Sequence, residues 1–270
     1  MGRLKIYCFT SNYFFLLDKL PSNIFPVGLG SVKYPENWLD EKNGKNIYDL
    51  NKYFAEMTGI YWVFKNELEK FSENDWIGFC HYRRLWLNDL YYPTHNIKSN
   101  IYTKLLYEPS TPMKNFESIL LQPTKLKNEN IYDHFKNNHG EKLILSSFNF
   151  LEKEMSYQFK EYLKKREFSL CNMFITKPKF FFDYANFVFP FLNKLLDYCL
   201  KNNLCVGKNI KLPAYFLERF TSFWFHQYTK VGYLSYKELS KFQMSNITNK
   251  FFNSLKIPNS FNQCPTILDI

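Results

Sequence analysis

The sequence is poor in glycine, and it lacks the loops that most nucleotide-binding proteins use to hold phosphate. Only 9 of the 270 residues are glycine, and neither G-x-G-x-x-G nor G-x-x-x-x-G-K-[ST] occurs. The motifs G-x-S-x-G and H-E-x-x-H and the protein-kinase set are absent as well. These absences exclude the familiar dinucleotide, P-loop, hydrolase and zinc-protease signatures. The Asp-x-Asp pair of metal-dependent enzymes that use nucleotide-sugars is also missing.

Cysteine is sparse and irregularly spaced. The six cysteines form no C-x-x-C pair and no zinc-ligand spacing, and Cys8, Cys80 and Cys171 lie in apolar runs, where we expect small core residues. This usage favours a reducing cytosol. No window approaches 18 consecutive apolar residues, and the N-terminus has no long apolar signal region. We therefore expect a cytoplasmic protein, either soluble or peripherally attached to the inner membrane.

The sequence is rich in apolar residues and carries a net positive charge. It is 46% hydrophobic with a formal net charge of +10, so it can bury a core and attract an acidic ligand, a nucleic acid or an anionic membrane. The basic residues are spread along the chain, and the charge alone does not choose among these partners. We expect one domain over residues 1–235 and a C-terminal tail, 236–270, packed on it.

The order of periodic and apolar segments predicts an α/β fold. Leu4–Thr10 reads as a first strand that leads to a ligand loop, residues 47–71 as one amphipathic helix, and Trp76–Cys80 as a buried strand. Residues 88–118 have no clear period and suggest a long loop over a site. Further strands are expected at 25–28, at 118–125 and within 169–181. Further helices are expected at 130–140, at 146–166 (capped by Ser147), at 181–202 (interrupted or bent near Pro190) and from just after Pro213 to 230.

Three residues that can carry positive charge follow the buried strand directly, namely His81, Arg83 and Arg84. Ligands of α/β sheets bind at the carboxyl ends of strands. Arginine donates paired hydrogen bonds to phosphate oxygens, so two arginines and an imidazole suit a dianion, most simply a diphosphate. The alternative is that one arginine pairs with a buried acid such as Glu56 and joins helix to strand. The cluster of three favours anion binding.

Several segments together resemble a known family. The stretch NIYDLNKYFAEMTGIYWVFKN, followed by IGFCHYRR and later by LCNMFITK and FLERF, is similar to the bacterial glycosyltransferases catalogued as domain of unknown function 4422, found in capsule, exopolysaccharide and lipopolysaccharide loci. The resemblance runs from about Ile6 to about His226. The chain departs from the family pattern at Lys45, Tyr48, Met57 and Phe64. Matching positions are Asn46, Asn51, Glu56, Thr58, Tyr61, Trp62, Lys65, Asn66, Gly78, His81, Tyr82, Arg83, Arg84, His139, Asn172, Met173, Glu218 and Arg219.

The resemblance implies a GT-A-like, Rossmann-related mixed sheet flanked by helices, with a helical C-terminal part. It implies transfer of a sugar from a nucleotide-diphosphate donor, expected to be a UDP-sugar, to a surface glycan or a lipid-linked glycan. His81, Arg83 and Arg84 are then expected to neutralise the leaving diphosphate, so no cofactor and no metal site is expected. Further candidates for donor binding are Thr10, Lys65 and Asn172.

An inverting transfer also needs a base near the acceptor hydroxyl. We expect Glu218 to be this base, with His81 also catalytic; the alternatives are Asp183 as base, or a structural ion pair for Glu218. Residues expected to orient the site are Glu56, Asn51 and Arg219.

Two other function classes stay open. A nucleic-acid-binding protein would present a basic stripe interleaved with exposed aromatic residues, whereas the aromatic residues here recur at core spacing. The third class is an inactive transferase fold that serves as a subunit of a polysaccharide-assembling complex.

Overall fold

A mixed β-sheet forms the centre of the computed structural model, which describes residues 2–88 and 104–239. Nine strands belong to this sheet and two more form a separate pair. The sheet contains β1 (Leu4–Thr10), β2 (Ile24–Gly28), β3 (Leu39–Asp40), β4 (Trp76–His81), β5 (Arg84–Trp86), β6 (Ser118–Leu121), β9 (Phe174–Thr176), β10 (Val231–Leu234) and β11 (Tyr236–Glu238); the pair is β7 (Thr124–Lys125) and β8 (Glu167–Phe168).

The strand order is β10-β6-β9-β4-β1-β2-β3, and β5 joins β4 to β11 at the side. Strand β1 runs parallel to both β2 and β4, with Thr10 opposite Gly28 and Phe9 opposite His81. Strand β9 is antiparallel to β4 and β6. The predicted strands Leu4–Thr10 and Trp76–Cys80 are thus confirmed. Since β1, β2 and β4 are parallel, their carboxyl ends meet at one edge of the sheet.

The sheet separates two apolar clusters. Side chains alternate between the faces of a strand, and in β1 Tyr7 and Phe9 belong to one cluster whereas Ile6 and Cys8 belong to the other. The larger, aromatic-rich cluster lies between the sheet and the helices. The helices are α1 (Asn51–Phe54), α2 (Met57–Asn66), α3 (Ile131–His139), α4 (Lys142–Ser147), α5 (Lys153–Leu163), α6 (Pro178–Lys201) and α7 (Leu212–Tyr228).

The prediction of a single helix over 47–71 is wrong. The helix is interrupted at Ala55, between α1 and α2, and this interruption shapes the site. Ala55 has φ 49° and ψ −131°. The Asn51 side-chain amide donates to the Ala55 carbonyl (3.0 Å) and to the Thr58 hydroxyl (2.9 Å). These bonds hold the break, which places Glu56 at the start of α2.

Other boundaries also differ from the prediction. Ser147 does not cap a long helix; it ends α4, with its hydroxyl donating to the Ile144 carbonyl (2.7 Å), and α5 begins at Lys153. Helix α6 continues through Pro190. Helix α7 has Pro213 in its first turn, where a missing N–H costs nothing.

The predicted tail begins inside the sheet, because residues 236–238 form β11, antiparallel to β5. Residues 240–270 and residues 89–103 of the predicted loop lie outside the described part of the chain. Across residues 2–88 and 104–239, no helix has the length and apolar content needed to cross a membrane.

Candidate active site

A cavity of about 270 Å³ lies at the carboxyl ends of β1 and β4. Five segments meet there: the end of β1, the residue that follows β2, the α1–α2 break, the turn between β4 and β5, and the start of α7 with the residue before it. The turn is short because β5 runs back antiparallel to β4, with His81 paired to Arg84. The lining residues are Phe9, Thr10, Ser11, Leu29, Asn51, Ala55, Glu56, His81, Tyr82, Arg83, Arg84, Lys211, Tyr215 and Glu218.

Most of the site residues predicted from the sequence come together here. Seven of them line the cavity, and three do not. Lys65 lies at the end of α2, where its Nζ is 4.3 Å from the Phe64 ring centroid. Thr10 is one of the seven that line the cavity, but its hydroxyl is already engaged, because Oγ1 accepts a hydrogen bond from the Asn12 backbone N–H (3.1 Å). The seven are Thr10, Asn51, Glu56, His81, Arg83, Arg84 and Glu218, and the three are Lys65, Asn172 and Arg219.

His81 holds its imidazole at the floor of the cavity, where the side chain is 18% exposed. Its Nε2 is 3.9 Å from Oε1 of Glu56 and makes no hydrogen bond within the described part of the chain. Burial lowers the pKa of His81; Glu56 opposes this shift, and Arg84 and Arg83 add to it. The imidazole is therefore neutral at pH 7 in the free protein.

The two arginines have different partners. The Arg84 guanidinium is 3.1 Å from Oε1 of Glu238, a half-exposed residue of β11. Arg83 pairs with no carboxylate among the residues that the structure describes, and its guanidinium carbon is 6.0 Å from the Tyr82 ring centroid. Within the described residues, the two arginines of this turn thus differ in their ion pairing.

Glu56 is held by a chain of hydrogen bonds that leads from the cavity into the core. The Asn172 side-chain amide donates to Oε1 of Glu56 (2.7 Å), and its oxygen accepts from the Thr221 hydroxyl (3.1 Å). The Thr221 hydroxyl in turn contacts the Tyr184 hydroxyl (2.7 Å). Asn172 is 1% exposed, so both ends of its amide bind protein groups. The structure places Asn172 behind Glu56 and not on the cavity wall.

Glu218 is the second carboxyl group of the cavity, with its side chain 25% exposed. Burial raises the pKa of Glu218 to about 7; Arg219 opposes this rise and Glu56 adds to it. The Arg219 guanidinium lies 3.2 Å from Oε2 of Glu218 and 3.0 Å from Nδ1 of His134. A carboxyl group with this pKa is partly ionised at neutral pH, so it can accept a proton from a bound hydroxyl.

The sequence did not single out Lys211 and Tyr215, which also line the cavity. Lys211 immediately precedes α7, and Tyr215 and Glu218 follow it at steps of four and three residues, so the three side chains lie on one side of the start of that helix. This helical spacing, counted back from Glu218, is the sequence pattern that could have identified Tyr215 and Lys211 as residues of the site. Lys211 is exposed and has no carboxylate partner in the described ranges.

The strand end at this site is cationic. The strand end carries a histidine and two arginines in place of an Asp-x-Asp pair, and guanidinium groups are never metal ligands in proteins because they stay protonated. Within residues 2–88 and 104–239, no group of three or more His, Cys, Asp or Glu side chains is placed to hold a metal ion. The arrangement suits an anion.

The fold is that of a glycosyltransferase. An apo structure of WbbM, a bifunctional glycosyltransferase, superposes with a TM-score of 0.71 at 20% sequence identity, covering 89% of this chain and 46% of that chain. This chain thus spans a little less than half of that protein's length. The predicted GT-A-like α/β fold, a mixed sheet flanked by helices, is confirmed.

The family of the chain follows from its sequence. Residues 6–230 match the family described as Domain of unknown function (DUF4422). The match covers most of the chain, and the chain belongs to this family. A search of curated proteins found no match.

Proposed function

We propose that this protein is a glycosyltransferase that moves a sugar from a nucleotide-diphosphate donor, a UDP-sugar, to a glycan acceptor. The observation that carries the proposal is the cavity of the GT-A-like fold, which combines cationic side chains with a carboxyl group whose pKa is about 7. The acceptor class follows the resemblance to capsule and lipopolysaccharide glycosyltransferases, so we place the product in a bacterial surface polysaccharide. The family match and the fold support glycosyl transfer as the type of reaction.

The donor diphosphate binds at the turn between β4 and β5. Arg83 and Lys211 supply charged donors that no described carboxylate occupies, and Arg84 exchanges Glu238 for a phosphate oxygen. Charge-assisted hydrogen bonds of this kind are short and strong. The diphosphate also favours protonation of the neutral His81, which adds a further positive charge once the donor is bound.

The transfer needs one proton acceptor. The acceptor hydroxyl attacks the anomeric carbon of the donor sugar, Glu218 takes the hydroxyl proton, and the bond between that carbon and the diphosphate oxygen breaks. The nucleotide diphosphate leaves with the bonding electron pair. Arg83, Arg84 and Lys211 stabilise the negative charge that develops on it, a role that is most effective in a preorganised, partly buried site.

UDP binding tests the donor site directly. We expect Arg83→Ala to weaken UDP binding about 10- to 100-fold, because a charged hydrogen bond to phosphate contributes about 1.5–3 kcal/mol. Isothermal titration calorimetry measures the change. Arg166→Ala is the matched control, since Arg166 is exposed and does not line the cavity.

Two results would contradict the donor assignment. One is equal UDP affinity in Arg83→Ala and the wild-type protein. The other is thermal stabilisation by a DNA or RNA oligonucleotide in place of UDP, which would favour the nucleic-acid-binding alternative.

A further inference from the structure

Tyr215 lines the cavity beside the proposed base. It lies three residues before Glu218 on α7, so the two side chains share one face of the helix. An acceptor hydroxyl that gives its proton to Glu218 must lie within hydrogen-bond reach of that carboxylate. The body of the acceptor molecule then lies over the part of α7 that carries Tyr215.

A second ring holds Tyr215 in place. The His139 imidazole, at the last residue of α3, stacks on the Tyr215 ring with centroids 4.8 Å apart and planes 21° apart. Nδ1 of His139 is 3.0 Å from Oδ1 of Asn209, and the Asn209 amide donates to the His139 carbonyl (3.5 Å). Burial lowers the pKa of His139, so this ring is neutral at pH 7. The stack therefore fixes the orientation of the Tyr215 ring. A half-buried tyrosine without such a neighbour would be free to rotate.

The other tyrosine of the cavity belongs to the donor side. Tyr82 immediately precedes Arg83 in the turn between β4 and β5, and its ring stacks on Phe14 with centroids 4.6 Å apart. Both tyrosines are thus supported by a stacked ring. Only Tyr215 shares a helix face with Glu218, which assigns it to the acceptor.

We propose that Tyr215 is a stacking platform for a pyranose ring of the acceptor, and that His139 is its positioning residue. This inference rests on the glycosyltransferase function proposed above. The face of an aromatic ring attracts the C–H groups on the less polar face of a pyranose, while hydroxyl groups at the edge of the sugar reach polar partners such as Glu218. The site therefore takes a sugar as acceptor, not a lipid alcohol or a protein hydroxyl.

Saturation-transfer difference NMR tests the platform with defined probes. The UDP-loaded protein is titrated with the methyl pyranosides of glucose, galactose, mannose and N-acetylglucosamine. We expect at least one of them to bind through its ring C–H protons. Tyr215→Ala and Tyr215→Leu are expected to weaken this binding about three- to tenfold, since each removes the flat ring, whereas Tyr215→Phe keeps it.

Two further variants separate positioning from simple destabilisation. His139→Ala is expected to weaken glycoside binding with UDP affinity unchanged, and His139→Phe, which restores a ring behind Tyr215, is expected to recover it. Tyr157→Ala is the matched control, because Tyr157 is 61% exposed on α5 and does not line the cavity.

The outcomes distinguish this inference from the function on which it rests. If UDP binds but no glycoside does, or if Tyr215→Leu binds glycosides as the wild type does, the platform is wrong and the donor site stands. Equal losses in Tyr215→Phe and Tyr215→Leu would assign the effect to the hydroxyl group and would also overturn the platform. Failure of the wild-type protein to bind UDP would overturn the proposed function itself.

Discussion

Glu218 and Arg219 show how two adjacent residues divide their roles. Glu218 faces the cavity, whereas Arg219 is buried between the rings of Phe135 and Phe168, with its guanidinium carbon 5.5 Å and 5.0 Å from their centroids. From this position the guanidinium holds Glu218 in place and keeps its pKa from rising further. The sequence suggested Glu218 as a base and Arg219 as an orienting residue. It gave no indication of Phe135 and Phe168, which come from distant segments.

The raised pKa of Glu218 predicts that turnover depends on pH. Only the ionised carboxylate can accept a proton, so kcat/KM is expected to rise as the pH increases from 6 to 8, with an inflection near the pKa of about 7. Glu218→Gln cannot accept the proton, and we expect it to lose about 100- to 10,000-fold in kcat while UDP binding is retained. A rate that stays constant over this pH range, or an active Glu218→Gln variant, would remove Glu218 from the mechanism.

Asn172 illustrates a residue whose place was predictable but whose partner was not. The sequence placed it at the start of a strand; in the structure it lies two residues before β9, and its amide binds Glu56 and Thr221. These partners lie 116 and 49 residues away along the chain. Such long-range contacts leave no periodic signal in a single sequence.

The secondary-structure elements were predictable where burial follows a simple period. Strand β4 is an apolar run, β1 is apolar from Ile6 to Phe9, and α3 ends before Gly140 as expected. The α1–α2 break escaped prediction because the apolar spacing continues across it, with Phe54 and Met57 both fully buried. A side-chain hydrogen bond from Asn51 decides the break, and the hydrophobic pattern does not report it.

Strand β11 lies beside the proposed donor site. It pairs with β5, and its Glu238 neutralises Arg84 while no ligand is bound. Glu238→Gln is therefore expected to tighten UDP binding up to about fivefold, since a solvent-exposed ion pair is worth about 0–1 kcal/mol. Calorimetry at low and at high salt measures the change. Weaker UDP binding in this variant would contradict the expectation, because it would mean that Glu238 helps to position Arg84 for UDP and does not compete with it.

The charge of the whole molecule supports a peripheral contact with an anionic membrane. The formal net charge is +10, and the anionic inner leaflet, where lipid-linked acceptors lie, attracts basic proteins. We expect the protein to sediment with vesicles that contain phosphatidylglycerol but not with neutral phosphatidylcholine vesicles. Raising the salt concentration should release it, because salt screens this attraction. Equal sedimentation with both kinds of vesicle would count against the proposed contact.

The central claim is that cationic side chains take the place of a metal ion in sugar transfer. The most direct measurement is release of UDP from a panel of UDP-sugars in the presence of glycan acceptors, with EDTA and with added manganese. We predict turnover of at least one donor, at the same rate in EDTA as in manganese, and its loss in Arg83→Ala. Complete loss of activity in EDTA that manganese restores would contradict the account.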